Sequence, residues 1–508
     1  MRYFQNREYV LNSASRQARV AGSLLFMAVL LMAAPSALAG DPAGGAEPAQ
    51  EGTGDGETEA DNPSASGAAR PLEDLERRVR DLEAELAATV HQQKTEPDTL
   101  LELERRIEIL SREIEQLQIG EAAVVADQPA HGLGPAAAKI YQAGNGVSIG
   151  GYGEMLLERF DERKDDGTAA NKSDKLDFLR AIIYLGYKFN DRILFNSEIE
   201  FEHASTGKDG EVSVEFAYLD FLFRDEVNAR VGLVLVPMGF VNELHEPPIF
   251  LGARRPDLER RLIPTTWREN GAGIFGDLGP VSYRAYIVTG FDGAGLDESG
   301  FSAGGLRGGR QSGSKSLAED FAFVARADWE ITPGLTLGGS FYTGNSGQGA
   351  DTSQGVIPSA IPGEIIEART DILDVHLQWR WRGLEFRALY VNVDLDQADL
   401  LNDFKGLTGM ESIGSEMDGS YVQAGYDVLA SRETNQALIP YARYEQFDTQ
   451  SEVPSGFLRD PANDVDVITY GIAYKPIPNV VFKLDYQNFD NAAGTGTDQW
   501  NLAAGFLF

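Results

Sequence analysis

The residues best suited to chemistry lie close together between positions 237 and 269. Arg254, Arg255, Arg260, Arg261 and Arg268 are interleaved there with Glu243, Glu246, Asp257, Glu259 and Glu269, and the stretch holds no lysine. Guanidinium groups are planar, permanently charged donors, so such a set attracts anions while the carboxylates temper it. Five against five leaves the stretch formally neutral. Catalytic patterns fail their context tests. Gly271-Ala272-Gly273-Ile274-Phe275-Gly276 matches the phosphate-cradling glycine fingerprint but runs into a Gly-Pro turn, not a helix. His245-Glu246 opens like a zinc-protease helix, yet Pro247-Pro248 forbids that helix and position 249 is Ile. With five histidines and no cysteine, no metal site, thiol nucleophile or disulfide framework is expected. No Ser/His/Asp grouping stands out, so neither an enzyme nor a cofactor is expected.

These charges must be positioned by strands. From Val147 onward apolar residues alternate with polar ones, as in Trp500, Leu502, Ala504, Phe506 and Phe508 against Gln499, Asn501, Ala503 and Gly505. Sixteen strands are predicted, at 147–157, 176–189, 192–204, 211–223, 228–236, 270–277, 281–290, 319–330, 334–343, 370–381, 383–394, 418–429, 437–448, 464–475, 479–489 and 498–508. Connections alternate between long (158–175, 237–269, 291–318, 344–369, 395–417, 449–463) and short. Tyr187, Phe189, Trp329, Trp379, Trp381, Tyr474 and Phe506 fall near strand ends, where an interfacial girdle lies. The pattern predicts an all-β transmembrane barrel of sixteen antiparallel strands, apolar outside and polar within. Counting the shorter 205–210 between the third and fourth strands, the segment 237–269 is the third connection at the long-loop end and the longest.

Strand parity turns Arg180, Arg284, Arg326, Arg380, Arg387, Arg443 and Lys483 inward. Glu198, Glu200, Glu202, Glu215, Asp328, Glu385, Glu445 and Asp485 share that face. The acids concentrate on strands three and four and the arginines on strands seven to thirteen. Two outcomes are open: opposed charged walls with a transverse field, or mutual salt bridges that brace the barrel.

The N-terminal third differs. Residues 1–39 combine a basic start, the apolar run Val20–Ala34 and Ala37-Leu38-Ala39, the pattern of a secretory signal peptide. Residues 40–70 read as a disordered acidic linker. Heptad spacing from Leu72 to Leu117 predicts two short amphipathic helices, or one short α-helical coiled coil kinked at Pro97, over 71–119. Residues 120–145 read as a second linker, and 146–508 as the barrel. The net charge of −34 excludes a general nucleic-acid binder.

Three segments carry a family resemblance: Gly150-Gly151-Tyr152-Gly153-Glu154, the whole of 237–269, and Arg307-Gly308-Gly309-Arg310-Gln311. Glu215-Phe216-Ala217-Tyr218-Leu219-Asp220 adds a fourth. Together they resemble the phosphate-selective porin O and P family. The resemblance covers about residues 147–508 and is strongest up to about 350. It implies a homotrimer in the outer membrane of a Gram-negative bacterium, in contact with its lipid. It also implies that the third loop folds inward, making Arg254, Arg255, Arg260, Arg261, Arg268, Glu243, Glu246, Asp257 and Glu259 the pore constriction. The expected function is passive diffusion of small hydrophilic solutes, with anions such as phosphate as the family's substrate class. The alternative is a barrel anchor whose periplasmic coiled coil tethers peptidoglycan or organises the oligomer.

Overall fold

The computed structural model describes residues 129–508, apart from 206, 209 and 360. The signal peptide, acidic linker and coiled coil expected at 1–39, 40–70 and 71–119 lie outside the described residues. Sixteen strands follow one another around a closed antiparallel barrel. They are β1 (Gly146–Phe160), β2 (Lys175–Asn190), β3 (Ile193–Glu202), β4 (Val212–Arg224), β5 (Val227–Leu235), β6 (Arg268–Leu278), β7 (Val281–Thr289) and β8 (Phe321–Thr332). The circuit continues with β9 (Leu335–Gly344), β10 (Thr370–Trp381), β11 (Leu384–Leu395), β12 (Glu416–Tyr426), β13 (Ala437–Glu452), β14 (Asp464–Ile477), β15 (Val480–Asn491) and β16 (Gln499–Leu507). Pairing of β1 with β16, from Tyr152 opposite Leu507 to Phe160 opposite Gln499, closes the ring. Closure leaves no unpaired edge, the condition for strands to cross a lipid phase.

The period of two governs both faces. Leu484, Leu502, Phe482, Trp500, Leu373 and Ile468 are exposed on the outside, while Lys483, Asp485, Asn501 and Asp374 are buried within. Connections sort by end. One end has six two-residue turns, such as Asp191-Arg192 and Pro478-Asn479, and one ten-residue connection at 427–436. The other end carries the long loops, of which 236–267 is the longest. Tyr187 and Phe189 lie edge to face at 4.9 Å, and Trp379 and Trp381 stack at 6.1 Å, close to the short-turn end.

Residues 129–145 correct the sequence reading. Expected as linker, they form a hairpin, with a turn closed by paired hydrogen bonds between Ala130 and Leu133, then helix α1 (Pro135–Gln142). Proline at the first helical turn followed by three alanines favours a helix. Four surrounding glycines (132, 134, 144 and 146) gave the stretch its linker composition. The hairpin lies against the inner wall, with Leu133, Ala136, Ala137, Ala138 and Ile140 buried.

The long loop 236–267 is pinned at its root by Trp267, fully buried, stacked on Phe291 at 4.4 Å and tilted against Tyr342 at 5.0 Å. Trp267→Ala opens a large cavity there and is expected to destabilise the barrel by about 3–5 kcal/mol. Urea unfolding in micelles, followed by intrinsic fluorescence of the remaining tryptophans, measures it.

Candidate functional site

Loop 236–267 crosses the lumen, and its backbone needs partners there. Wall carboxylates accept its amides: Gly239 N donates to Asp374 at 3.1 Å, Ala253 N to Asp485 at 2.6 Å and Leu258 N to Glu445 at 3.1 Å. Wall cations donate to its carbonyls: Lys475 to Pro248 O at 2.6 Å, Arg387 to Ile249 O at 2.8 Å and Lys483 to Gly252 O at 2.8 Å. Arg326 likewise donates to Gly239 O. At the root, Asn242 accepts from Trp267 N at 2.7 Å and donates to Val236 O and Trp267 O. A short helix α2 (Asp257–Arg261) presents Leu258 and Glu259 to the β12–β13 wall.

The loop's acids are spent on structure. Glu259 accepts from Phe240 N and Val241 N at 2.8 Å each and from Tyr421 at 2.8 Å. Glu246 caps α1, accepting from Ala136 N and Ala137 N at 3.1 Å. Burial pushes the Glu246 carboxyl up to about 7, against those two backbone bonds. Glu243 sits 3.2 Å from Arg284 and 3.8 Å from Arg326, both of which also bind Asp328. Glu269 accepts from Gln311 N and Thr289. Asp257 faces Arg260 at 3.2 Å and Arg254 at 3.9 Å. Those arginines outweigh its burial and hold its carboxyl below the usual range.

The inward residues divide accordingly. Arg180, Arg284, Arg326, Arg387, Arg443 and Lys483 are all buried. Arg387 pairs with Glu385 at 3.3 Å and Arg443 with Glu445 at 2.7 Å. Arg380 alone of this group is exposed, near the short-turn end. On the other wall Arg180 lies 3.2 Å from Glu200, Arg268 2.8 Å from Glu215 and His245 3.2 Å from Glu198. Opposed charged walls are therefore not formed: each side is neutralised locally, mostly by neighbouring strand residues, with Glu243 and His245 of the loop adding partners for Arg284, Arg326 and Glu198.

Between the upper parts of β1–β3 and the loop lies a cavity of about 340 Å³, lined by Arg180, Arg254, Arg255, Arg260 and Arg307. Glu154, Glu158 and Glu202 line it too. Glu154 is 3.5 Å from Arg180, and Glu158 is 2.7 Å from Arg254. Among the described residues no ion pair joins Arg255 or Arg307 to a carboxylate, and one terminal nitrogen of Arg255 is buried without a hydrogen bond. Arg307 donates to Thr265 O at 2.7 Å, as Arg310 does at 2.9 Å. Burial beside Arg310, Arg260, Arg255 and Arg180 pushes the Arg307 guanidinium down to about 9. Crowded cations with spare donors form a site that an anion relieves.

Of the nine loop residues expected at the constriction, Arg254, Arg255 and Arg260 meet at this cavity. Arg261 packs its guanidinium 5.7 Å from the Phe447 ring centre instead. Arg307, Glu154 and Glu158 were not among the expected site residues. The Arg-Gly-Gly-Arg stretch at 307–310 was the available signal for the first.

A closed sixteen-strand ring, an apolar exterior and turns and loops sorted by end define a porin-like outer-membrane barrel with an inward-folded third loop. No family model matches the chain. A protein of Aquifex aeolicus (strain VF5), described as an uncharacterized protein, is 37% identical over 390 residues, covering 75% of this chain and 84% of its own. The chain belongs to the family of that protein. Similar solved structures include Salmonella typhi OmpF in complex with daunomycin (12% identity, TM-score 0.46, 72% of this chain and 98% of that one). The outer membrane channel DcaP of Acinetobacter baumannii is another (14%, 0.45, 71% and 97%), as is the trimer form of OmpT from Vibrio cholerae (12%, 0.43, 72% and 100%).

Glu243→Ala leaves Arg284 and Arg326 short of one buried partner. It is expected to lower stability by about 3–5 kcal/mol. Arg260→Ala, at a side chain 44% exposed, should change it by less than about 1 kcal/mol. Paired urea titrations separate the two.

Proposed function

We propose that this protein is a passive outer-membrane channel, not an enzyme, whose narrow part favours small anions, with phosphate as the first candidate. The observation that carries the reading is the inequality of the charges around the cavity. Glu243, Glu246 and Glu259 are buried on backbone amides and arginines, while Arg255 and Arg307 face the cavity without a carboxylate partner among the described residues. The formal neutrality of 237–269 therefore misstates the field that a solute meets. Arg254, paired with Glu158 and Asp257, and Arg260, paired with Asp257, add a weaker attraction. The resemblance to the phosphate-selective porins supports the same substrate class. In this reading the short-turn end and the N-terminal segment are periplasmic, and three barrels assemble in the membrane.

Reversal potential in a planar bilayer under a salt gradient tests the proposal. The wild-type channel is expected to prefer anions, with chloride current blocked as phosphate is added. The double variant Arg255→Ala, Arg307→Ala should lose roughly tenfold of that preference. Glu158→Gln should increase it, by freeing Arg254. Cation preference in the wild type, or an unchanged potential in the double variant, would overturn it.

A further inference from the structure

Helix α1 and the turn before it do something a linker has no need to do: they occupy the lumen. The wall is shaped for them. A Cβ at Gly150 would stand 2.9 Å from Ala136 O, and one at Gly186 would stand 3.0 Å from Ile140 Cβ. These glycines lie on paired strands, with Ser148 opposite Gly186 and Gly150 opposite Tyr184. Around the seat, Tyr184, Phe216 and Tyr218 form a stacked aromatic column that is 0–3% exposed. Water does not reach this part of the wall while the hairpin is in place.

The contacts that hold the hairpin are of a kind that water can replace. Among the described residues, no backbone–backbone hydrogen bond joins residues 129–145 to a strand. Side chains make the links: Asn196 donates to Ala137 O at 3.0 Å, Lys188 to Ala143 O at 3.1 Å, and Tyr141 donates to Asp220 at 2.6 Å. Arg230 and Asp220 keep each other without the hairpin, through two bonds of 2.8 and 3.0 Å, while the bonds of Arg230 to Tyr141 at 2.8 Å and of Lys139 to Ile149 O at 2.6 Å pass to water when the hairpin leaves. The buried face is mostly alanine, with Leu133 and Ile140 as the large apolar anchors. The link to β1 is short and glycine-bearing. A Cβ at Gly144 or Gly146 would meet nothing within 4 Å, and Gly146 has φ of +114°, a conformation that suits a hinge. The top of the hairpin is tied to the long loop. Gly132 and Gly134 lie against Glu243 and Glu246, and Glu246 caps the helix.

We propose that residues 129–145 are a displaceable plug, which fills the lumen beside β1–β6 in this state and swings out about Gly144–Gly146 to widen the channel. Glu246 is the latch, since it belongs to the constriction loop and binds the plug's helix. The segment that precedes the hairpin, from 40 to 128, is covalently attached to its free arm, so a load on it acts on the plug. The inference rests on the channel reading above.

The chain has no cysteine, so a staple can be introduced cleanly in the full-length protein. Ile140→Cys with Gly186→Cys removes the isoleucine atoms nearest the wall and sets two Cβ atoms 3.0 Å apart, so an outward shift of the helix by about half an ångström gives disulfide spacing. In single-channel recordings the oxidised double variant should stay in its low-conductance state, and dithiothreitol should restore openings. Glu246→Ala, tested separately, should raise the open fraction about tenfold, the worth of one charge-assisted hydrogen bond. Three results would overturn the plug: failure of the cysteines to cross-link in an assembled barrel, equal conductance before and after reduction, or a wild-type open fraction in Glu246→Ala. Each leaves the channel reading intact if current flows. Absence of current in every variant overturns the channel reading and the plug with it. If the double-cysteine protein does not assemble, the Glu246→Ala recordings decide.

Discussion

A chain segment that folds into a barrel must find acceptors for its own amides and donors for its carbonyls, away from bulk water. That requirement organises the interior here. An unpaired buried amide or carbonyl loses a hydrogen bond's worth of free energy, so loop 236–267 stays inside only because the wall supplies partners. Asp374, Asp485 and Glu445 receive its amides, and Arg326, Arg387, Lys475 and Lys483 serve its carbonyls. Charged wall groups then answer one another, as Arg443 does Glu445. The lumen charges are in large part a docking surface for the chain's own backbone.

Selectivity follows from what this docking consumes. It takes up the loop's glutamates more completely than its arginines, because carboxylates are the acceptors that buried amides need. Glu259 and Glu246 are removed from any solute's view, while Arg255 remains at the cavity with a donor to spare, beside Arg307 from the connection between β7 and β8. The same logic reaches the N-terminal hairpin. Glu246 has one carboxylate to offer and gives it to Ala136 N and Ala137 N, which links the loop to the plug through a single side chain.

The barrel was legible in the sequence because its signal is local. Alternation within each strand places Lys483 and Asp485 inside and Phe482 and Leu484 outside without knowledge of any neighbour. All sixteen strands lie where alternation predicts, within a few residues at the ends. The interior was not legible because its partners are remote. Gly239 and Asp374 are 135 positions apart, Leu258 and Glu445 187, and Ala253 and Asp485 232. Counting loop charges treated Glu243 and Arg255 as equivalent, although burial gives them opposite fates. Helix α1 was missed because its alanines carry no periodic signal and its flanking glycines read as linker, whereas they make room for close packing.

The central claim is that wall carboxylates hold the loop by its amides, and hydrogen–deuterium exchange of the full-length protein in micelles addresses it most directly. The account predicts that the amides of Gly239, Ala253 and Leu258 exchange as slowly as those of the flanking strands β5 and β6. Exchange of those three amides as fast as that of the exposed loop 161–174 would contradict it.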